Sequence, residues 1–309
     1  MDNRTLIEKA QLTIANLVSD GGYLPEAVSK EFLEKTVAAA NFMPLATVRP
    51  MDAPTQSETL IGFDSRVLHA ANPGQALPEG SRSKPSTLKV LLTAQEFKAE
   101  CRLDYSVLED SIEGDRLTQR VLSILQKRLA LDMDDISLNS VTSSTDADLA
   151  KFNGIRASIS THTVAASTAY ISDTLFKRAQ LAMPQQFLAD MANMHFLTAR
   201  AVELIWRNIL AHRATPGSDR YMTENIPCGY GGNPITPISM LPIDLTPGTN
   251  SDVLFMNPRN AVIGVWKKIM IETDKDISAG ELIVVARVRF DAKVSEENGT
   301  VKITGVLAA

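Results

Sequence analysis

Residues 101–140 read CRLDYSVLEDSIEGDRLTQRVLSILQKRLALDMDDISLNS and contain the most regular helical pattern of the chain. Apolar side chains recur in it at steps of three and four, which places them on one stripe of an α-helix. The members of this stripe are Leu117, Val121, Ile124, Leu125, Leu129, Met133 and Ile136. A helix over residues 117–136 rises about 28 Å at about 1.5 Å per residue, and Asp115 is its predicted N-cap. So long a helix with one apolar stripe needs a broad surface, such as a sheet, to lie on.

The C-terminal end of this helix carries three carboxylates, Asp132, Asp134 and Asp135. Negative charges at a helix C-terminus oppose the helix dipole, so tertiary packing must hold the last turn. The spacing lacks the glycine and the ligand pattern of an EF-hand. We therefore expect these carboxylates to face solvent or a neighbouring subunit, and we expect no cation site.

The end of the chain predicts strands. Residues 282–291 (LIVVARVRFD) and 300–306 alternate between apolar and polar side chains, and residues 296–299 supply a turn. We interpret them as a terminal hairpin on which the long helix lies. Residues 253–256 and 268–272 look like short strands with NPRNAVIGVW between them. Pairing of the middle of the chain with its end leaves residues 150–280 as an inserted domain, so the predicted fold class is α+β.

A two-stranded arm precedes the helix. Residues 55–68 and 88–101 read as strands joined by AANPGQALPEGSRSKP, and the tip is basic through Arg82, Lys84 and Lys89. An isolated hairpin is only marginally stable in water, so we expect another subunit to cover the arm. Helical patterns at residues 4–18 and 26–40 are short and also need a neighbour.

The composition argues against several classes of protein. A net charge of −5 and the lack of a Lys/Arg run disfavour a strong nucleic-acid binder. No apolar run reaches the length of a membrane span, and the N-terminus has no signal-peptide core. The two cysteines, Cys101 and Cys228, indicate buried thiols in a reducing compartment.

The sequence contains none of the common catalytic motifs: no Walker A, GxSxG, HExxH or CxxC pattern occurs. GYGGNP, from Gly229 to Pro234, lacks the spacing of a dinucleotide site and is interpreted as a loop. His195 and His212 are interpreted as structural rather than metal-binding. We therefore predict no catalytic residue, no cofactor and no metal. An enzyme with a site near Gly229 to Pro234 is an alternative from a different class of protein.

Several short motifs, taken in their order along the chain, resemble the major capsid proteins of tailed bacteriophages with the Hong Kong 97-type shell fold. GGYLPEAVSKEFLEKTV resembles the start of the family's N-terminal arm, CRLDYSVLEDS the strand before its spine helix, and FNGI the loop into its axial domain. GGNPITPISMLP, and NPRNAVIGVWKKIMIE followed by LIVVARVRFDAKV, resemble its later loops and strands. The resemblance extends over most of the chain.

The resemblance implies a specific layout and function. The N-terminal arm would span residues 1–54, the extended loop 55–88, the peripheral domain 89–149 and 281–309, and the axial domain 150–280. The protein would be a structural component of the virion, not an enzyme. It would self-assemble as hexamers and pentamers into an icosahedral shell that encloses double-stranded DNA without sequence-specific contacts.

The resemblance also implies partners. These are other copies of the chain, a scaffolding protein and a portal, with no membrane, and synthesis would take place in the bacterial host cytoplasm. Many relatives carry a long N-terminal scaffolding extension; here the arm begins almost at Met1, which implies a separate scaffolding protein or none. Some relatives join subunits by a Lys–Asn bond. Lys84 and Lys89 lie in or beside the extended loop, but no partner Asn or activating acid is identified, so that chemistry is not carried over.

The residues predicted to contact other subunits lie on the arm and at the acidic end of the long helix. They are Arg82, Lys84, Lys89, Asp132, Asp134 and Asp135. The nearest alternative function is an encapsulin-type nanocompartment shell, which shares the fold but packages an enzyme cargo.

Overall fold

The computed structural model of the protein describes residues 40–62, 67–70, 74–104, 116–214, 220–224, 226–242, 250–266 and 270–308. The predicted helices at residues 4–18 and 26–40 (except Ala40) lie outside these ranges. The predicted N-cap Asp115 and the side chain of Leu117 also lie outside the described part of the chain.

The described strands are β1 (Thr47–Met51), β2 (Thr55–Gly62), β3 (Ser86–Thr93), β4 (Gln95–Asp104), β5 (Thr163–Ala165), β6 (His195–Thr198), β7 (Gly229–Tyr230), β8 (Asn233–Pro237), β9 (Asn250–Met256), β10 (Ala261–Trp266), β11 (Met270–Asp276), β12 (Glu281–Val294) and β13 (Thr300–Leu307). The described α-helices are α1 (Arg116–Asn139), α2 (Ile155–Ser158), α3 (Asp173–Ala182), α4 (Arg200–Ala211) and α5 (Arg220–Thr223).

The first sheet is organised around β12, a strand of 14 residues. One edge of β12 pairs with β4 from Glu281 to Phe290, and the other edge pairs with β11 and then with β10. β1 adds to β10 as a parallel strand. Alternate side chains of β12 are buried, as its apolar and polar alternation predicts.

The second sheet has the strand order β5, β13, β9, β6, β8, β7. Its central strands carry fully buried aromatic rings: Phe196 on β6 stacks on Phe255 of β9 with ring centroids 4.4 Å apart. Helix α3 adds Phe176, whose ring meets Phe196 edge to face. These rings lie in the principal apolar core.

The predicted terminal hairpin is wrong. β12 and β13 both form, but β12 belongs to the first sheet and β13 to the second, where it pairs with β9 and β5. A short 3-10 helix, Glu297–Gly299, carries the chain from one sheet to the other. Alternation of side chains predicts which faces of a strand are buried, but it does not specify the partner strand.

Two further differences concern strand boundaries. The predicted strand at 88–101 divides at Ala94 into β3 and β4, which belong to different sheets. β10 lies within NPRNAVIGVW, the stretch that the sequence pattern presents as a connection. Five of its six residues are buried, so it lacks the alternation that marks a half-exposed strand.

Helix α1 confirms the predicted long helix over its described part. The C-terminal half of its apolar stripe is buried at Leu129 and Met133, beside Phe97 of β4 and Phe290 of β12. Ile124, nearer the start, is 59% exposed. The prediction that the stripe is buried against the C-terminal strands is therefore confirmed for the second half of the helix and wrong at Ile124.

Candidate assembly surfaces

The arm consists of β2 and β3, which form a separate two-stranded sheet paired over eight positions, from Thr55 opposite Thr93 to Gly62 opposite Ser86. Neither strand pairs with any other described strand. The arm is therefore a structural unit of its own that is joined to the first sheet at its base.

The base of the arm is held by a buried carboxylate. Asp291 on β12 is 1% exposed, and its Oδ2 atom accepts a hydrogen bond of 2.8 Å from the backbone N–H of Thr93, the last residue of β3. Its Oδ1 atom accepts another from the N–H of Ala292. Burial raises the pKa of Asp291, and these hydrogen bonds partly oppose that effect.

A small apolar cluster packs at the same place. It consists of Met51 from β1, Leu92 from β3 and Val262 from β10, and it is separate from the principal core. Gly264 of β10 makes this packing possible: a Cβ atom there would lie 2.7 Å from Met51 Sδ and 3.0 Å from Leu92 Cδ1. The chain is thus fixed on both sides of the point where the arm leaves the sheet.

The surface of the arm is both apolar and basic. Ile61 on β2 and Leu91 on β3 are 71% and 56% exposed, and Leu68, in the connection between the two strands, is 86% exposed. Arg82, Lys84 and Lys89 are exposed as well, although Arg82 Nε also donates to the carbonyl oxygen of Leu77 at 3.1 Å. Apolar side chains left in water forgo the free energy of burial, which favours a partner on this surface.

Two of the three carboxylates at the end of α1 lie at the surface of the chain. Asp132 Oδ1 pairs with Arg128 Nη2 at 2.9 Å, one helical turn earlier. Asp135 Oδ1 accepts a hydrogen bond of 2.6 Å from Asn139 Nδ2. Both residues stay candidates for contacts between subunits.

Asp134 behaves differently and corrects the sequence prediction. It is fully buried, and it accepts hydrogen bonds from the backbone N–H groups of Asn41, Phe42 and Met43 at 2.6, 2.9 and 3.0 Å. Burial raises its pKa, against the opposing effect of the three donors. Asp134 thus binds the chain's own residues 41–43 instead of facing solvent or a neighbour.

The last turn of α1 is held by a polar network. Asn139 Nδ2 donates to the carbonyl oxygen of Met240, and its Oδ1 accepts from Arg156 Nη1 at 2.9 Å. Arg156 Nε in turn bonds Asp252 Oδ2 at 3.0 Å. The network joins α1, α2 and β9, which explains how a helix end rich in carboxylates is kept in place.

Gly229 to Pro234, the segment suggested for an enzyme site, forms the hairpin of β7 and β8. Gly231 and Gly232 have positive φ angles of 59° and 87°, which glycine adopts readily. Asn233 is buried, and its Nδ2 atom donates to the carbonyl oxygens of Met191 and Met194. The positive φ angles explain the two glycines, and the buried hydrogen bonds explain Asn233, as structural parts of the hairpin.

The histidines singled out in the sequence have local partners. His195 Nδ1 lies 3.0 Å from Thr236 Oγ1, and burial lowers the pKa of His195. His212 Nδ1 lies 2.8 Å from the carbonyl oxygen of Asn208 at the end of α4.

Within the described ranges, no three His, Cys, Asp or Glu residues are grouped closely enough to hold a metal ion. No helix in those ranges combines the length and apolarity needed to cross a membrane.

Comparison with known proteins gives one curated relative along nearly the whole chain. The chain is 32% identical over 311 residues to the putative prophage capsid protein YqbE of Bacillus subtilis strain 168, with 99% of each sequence covered. No protein-family model matches the chain.

Solved structures with the same fold include capsid proteins. A chain of the satellite phage P4 procapsid, which includes the size determination (Sid) protein, superposes with a TM-score of 0.67 at 11% identity, covering 99% of this chain and 98% of that one. A capsid chain of a native GTA particle superposes with a TM-score of 0.60 at 15% identity, covering 88% and 91%.

The SrpI encapsulin complex of Synechococcus elongatus PCC 7942 shares the fold as well, with a TM-score of 0.56 at 8% identity, covering 86% and 87%. At such identities the superpositions show the fold alone. The sequence relative therefore decides between the two kinds of shell, and it is a prophage capsid protein. The chain belongs to the major capsid proteins of tailed bacteriophages, with the Hong Kong 97-type fold.

Proposed function

We propose that this capsid protein self-assembles as hexamers and pentamers into an icosahedral shell that encloses phage double-stranded DNA. The observation that carries the proposal is the arm of β2 and β3. It exposes Ile61 and Leu91, and its strands pair only with each other among the described strands. A two-stranded sheet of this kind gains stability from a covering neighbour, and a closed shell supplies one to every subunit.

The layout that we propose starts from an N-terminal arm at residues 1–54 and an extended loop at 55–88, and it moves β1 to the peripheral domain and the end of the loop to Thr93, the end of β3. The pairing of β4 with β12 supports a peripheral domain built from two distant parts of the chain. Sheet membership favours a change at the boundaries: β10 and β11 go with the peripheral domain, and β13 goes with the axial domain. The axial domains would meet at hexamer and pentamer centres and the peripheral domains at threefold contacts.

A scaffolding protein and a portal are the proposed partners during assembly in the bacterial cytoplasm. The net charge of −5 is consistent with a shell that surrounds DNA without binding it strongly, because strong phosphate binding requires clustered Lys and Arg. The sign of the charge supports a container for nucleic acid and does not support a sequence-specific binder.

Electron microscopy of the purified protein tests the proposal directly. We expect closed particles from the full chain, alone or with its scaffolding protein. A variant that lacks residues 70–85 should give a folded subunit that fails to form shells. Circular dichroism and thermal melting of that variant provide the control for folding. A full-length protein that remains a monomer or dimer with a bound small molecule would contradict the proposal. Closed particles from the deletion variant would show that the arm is not required for shell assembly.

The contents of the particle separate a phage capsid from a nanocompartment. We expect particles isolated from cells that produce the phage to contain nuclease-protected double-stranded DNA. An enzyme cargo in place of DNA, identified by mass spectrometry of purified particles, would favour the encapsulin alternative.

A further inference from the structure

Two short connections carry the chain directly between the two sheets. The first runs from β9 to β10 through residues 257–260, and the second runs from β12 to β13 through residues 295–299. A further link passes from β4 through α1 to β5; α1 lies on the first sheet at Leu129 and Met133, and its last turn is bonded to α2 through Asn139. The junction of the sheets therefore has two supports, α1 and the pair of crossings.

Asn260 bonds one crossing to the other. Its Nδ2 atom donates to the carbonyl oxygen of Glu296 at 2.8 Å, and its Oδ1 atom accepts from the N–H of Glu296 at 2.9 Å. The backbone carbonyl oxygen of Asn260 accepts from the N–H of Ser295 at 2.8 Å. The side chain thus pairs with both backbone groups of Glu296, as a neighbouring strand does, and an amide supplies the donor and the acceptor that this pairing needs.

Other polar contacts tie each crossing to its own surroundings. On the side of the first sheet, Thr47 Oγ1 of β1 donates to the carbonyl oxygen of Arg259 at 2.8 Å. On the side of the second sheet, Asn257 Nδ2 donates to Asp190 Oδ2 at 3.0 Å, and Glu297 accepts hydrogen bonds from the loop before β5. These contacts hold each crossing to one part of the fold, whereas the bonds of Asn260 join the two crossings to each other.

An open cleft of about 550 Å³ lies beside the crossings. Thr47 of β1 and Val262 of β10 line it from the first sheet. Phe187, in a 3-10 helix, and Met194, just before β6, line it from the second sheet. Protein interiors are close-packed, so unfilled space between two sheets gives them room to tilt towards or away from each other at this place.

We infer that Asn260 is a positioning residue that fixes the angle between the two sheets, and through this angle the curvature of the shell. The inference rests on the proposed function, in which the peripheral and axial domains contact different neighbours. A change of angle within the subunit is then repeated at every position of the shell and alters the diameter at which the shell closes. Without the bonds of Asn260, α1 is the remaining support, and the sheets tilt about it within the room that the cleft provides.

The distance between the sheets in unassembled subunits tests the first half of the inference. Spin labels are attached at Lys275→Cys, exposed on β11, and at Lys177→Cys, exposed on α3. Pulsed electron paramagnetic resonance should give a distribution of distances about twofold broader in Asn260→Ala than in the unmodified chain, because the junction has lost one support. Chains with a single added cysteine control for labelling of Cys101 and Cys228. An unchanged distribution would overturn the inference.

Particle diameters measured by electron microscopy test the second half. We expect Asn260→Ala to give particles whose diameters are spread more widely than those of the unmodified chain. The matched control is Asn233→Ala, because Asn233 also donates to backbone carbonyl oxygens, but its partners Met191 and Met194 lie beside the second sheet. This control should lower the melting temperature without changing the diameters. An equal spread in both variants would show that diameter follows stability, and it would overturn the role of Asn260.

A milder substitution, Asn260→Asp, keeps the shape of the side chain and serves if the alanine variant does not fold. The carboxylate still accepts from the N–H of Glu296 but cannot donate to its carbonyl oxygen. We expect an intermediate broadening of both distances and diameters, and unchanged values of both would overturn the inference. Failure of the unmodified chain to form particles would instead count against the proposed function, while the spin-label distances would still test the role of Asn260.

Discussion

The Oδ2 atom of Asp134 accepts a hydrogen bond of 2.9 Å from the backbone N–H of Phe42, which lies 92 positions earlier in the chain. Together with the bonds from Asn41 and Met43, it fixes the place where the N-terminal residues reach α1. Helix residues and the segment at 41–43 are thus joined by a buried charge and not by apolar packing alone.

Replacement of Asp134 should destabilise the subunit strongly. In Asp134→Ala the three N–H groups lose their acceptor in a buried place, and we expect the free energy of unfolding to fall by about 2–4 kcal/mol. Urea denaturation of unassembled subunits, followed by circular dichroism, provides the measurement. The control is Asp132→Ala, two residues away but partly exposed, with an expected change within about 0.5 kcal/mol. Equal effects of the two substitutions would show that the buried hydrogen bonds contribute little.

The sequence predicted those elements whose signal is local. The stripe of α1, the alternation of β12 and the turn-rich connection of the arm each lie within one stretch of chain. Their types follow from periodicity and from Gly and Pro content alone. The basic arm residues Arg82, Lys84 and Lys89 are exposed, and their contact with other subunits stays a prediction.

The remaining features depend on contacts between distant residues. Asp134 and Asp132 cannot be distinguished by helix charge patterns, because only the three-dimensional arrangement brings residues 41–43 onto one of them. The separation of β12 from β13 likewise depends on the strands from elsewhere in the chain that pair with each. No local signal marked Asp291: it falls in the polar register of LIVVARVRFDAKV with Arg289 and Lys293, so alternation predicts an outward carboxylate. Its burial follows from the contact with Thr93 of β3, which lies 198 positions away in the chain.

Gly154 should tolerate no side chain. A Cβ atom there would lie 2.6 Å from the backbone carbonyl oxygen of Ser137 in the last turns of α1, and backbone atoms cannot move aside easily. We expect Gly154→Ala to lower the free energy of unfolding by about 1–3 kcal/mol. Gly80→Ala is the matched control, since no atom lies within 4 Å of the place that its added methyl group would occupy. Thermal melting of both variants checks the difference, and equal melting temperatures would contradict the close approach of α2 to α1.

Glu297 should make the stability of the protein depend on pH in the acid range. Burial would raise its pKa, but the backbone N–H and hydroxyl groups of Ser160 and Thr161 all donate to its Oε1 atom and lower the pKa to about 2. Because the folded value lies below the unfolded one, the stabilisation is complete above about pH 4.5 and is lost as the pH falls towards 2.

The substitution Glu297→Gln tests this dependence. The variant should be less stable than the natural protein at pH 7, and the gap between their free energies of unfolding should narrow between about pH 4.5 and pH 2. Urea denaturation at a series of pH values measures the gap. The control is Glu296→Gln, at the partly exposed residue that precedes Glu297, and an equal pH-dependent gap in this variant would show that the effect is not specific to Glu297. If the difference in free energy of unfolding between Glu297→Gln and the natural protein stayed constant from pH 7 to pH 2, the ionisation of Glu297 would not contribute to stability.

Asp291 should matter for the arm more than for the remainder of the fold. In Asp291→Ala the N–H of Thr93 loses its acceptor at the base of the arm, at a cost of about 1–3 kcal/mol, while the strands of the first sheet keep their backbone pairing. We therefore expect a folded subunit in which hydrogen exchange speeds up selectively in β2 and β3, together with fewer closed particles.

Hydrogen exchange read by mass spectrometry and particle counts by electron microscopy measure these two effects of Asp291→Ala. Asp274→Ala, at an exposed position on β11 in the same sheet, is the control and should leave the arm's exchange unchanged. Faster exchange spread evenly over the first sheet would show that Asp291 supports the sheet as a whole and does not specifically hold the arm.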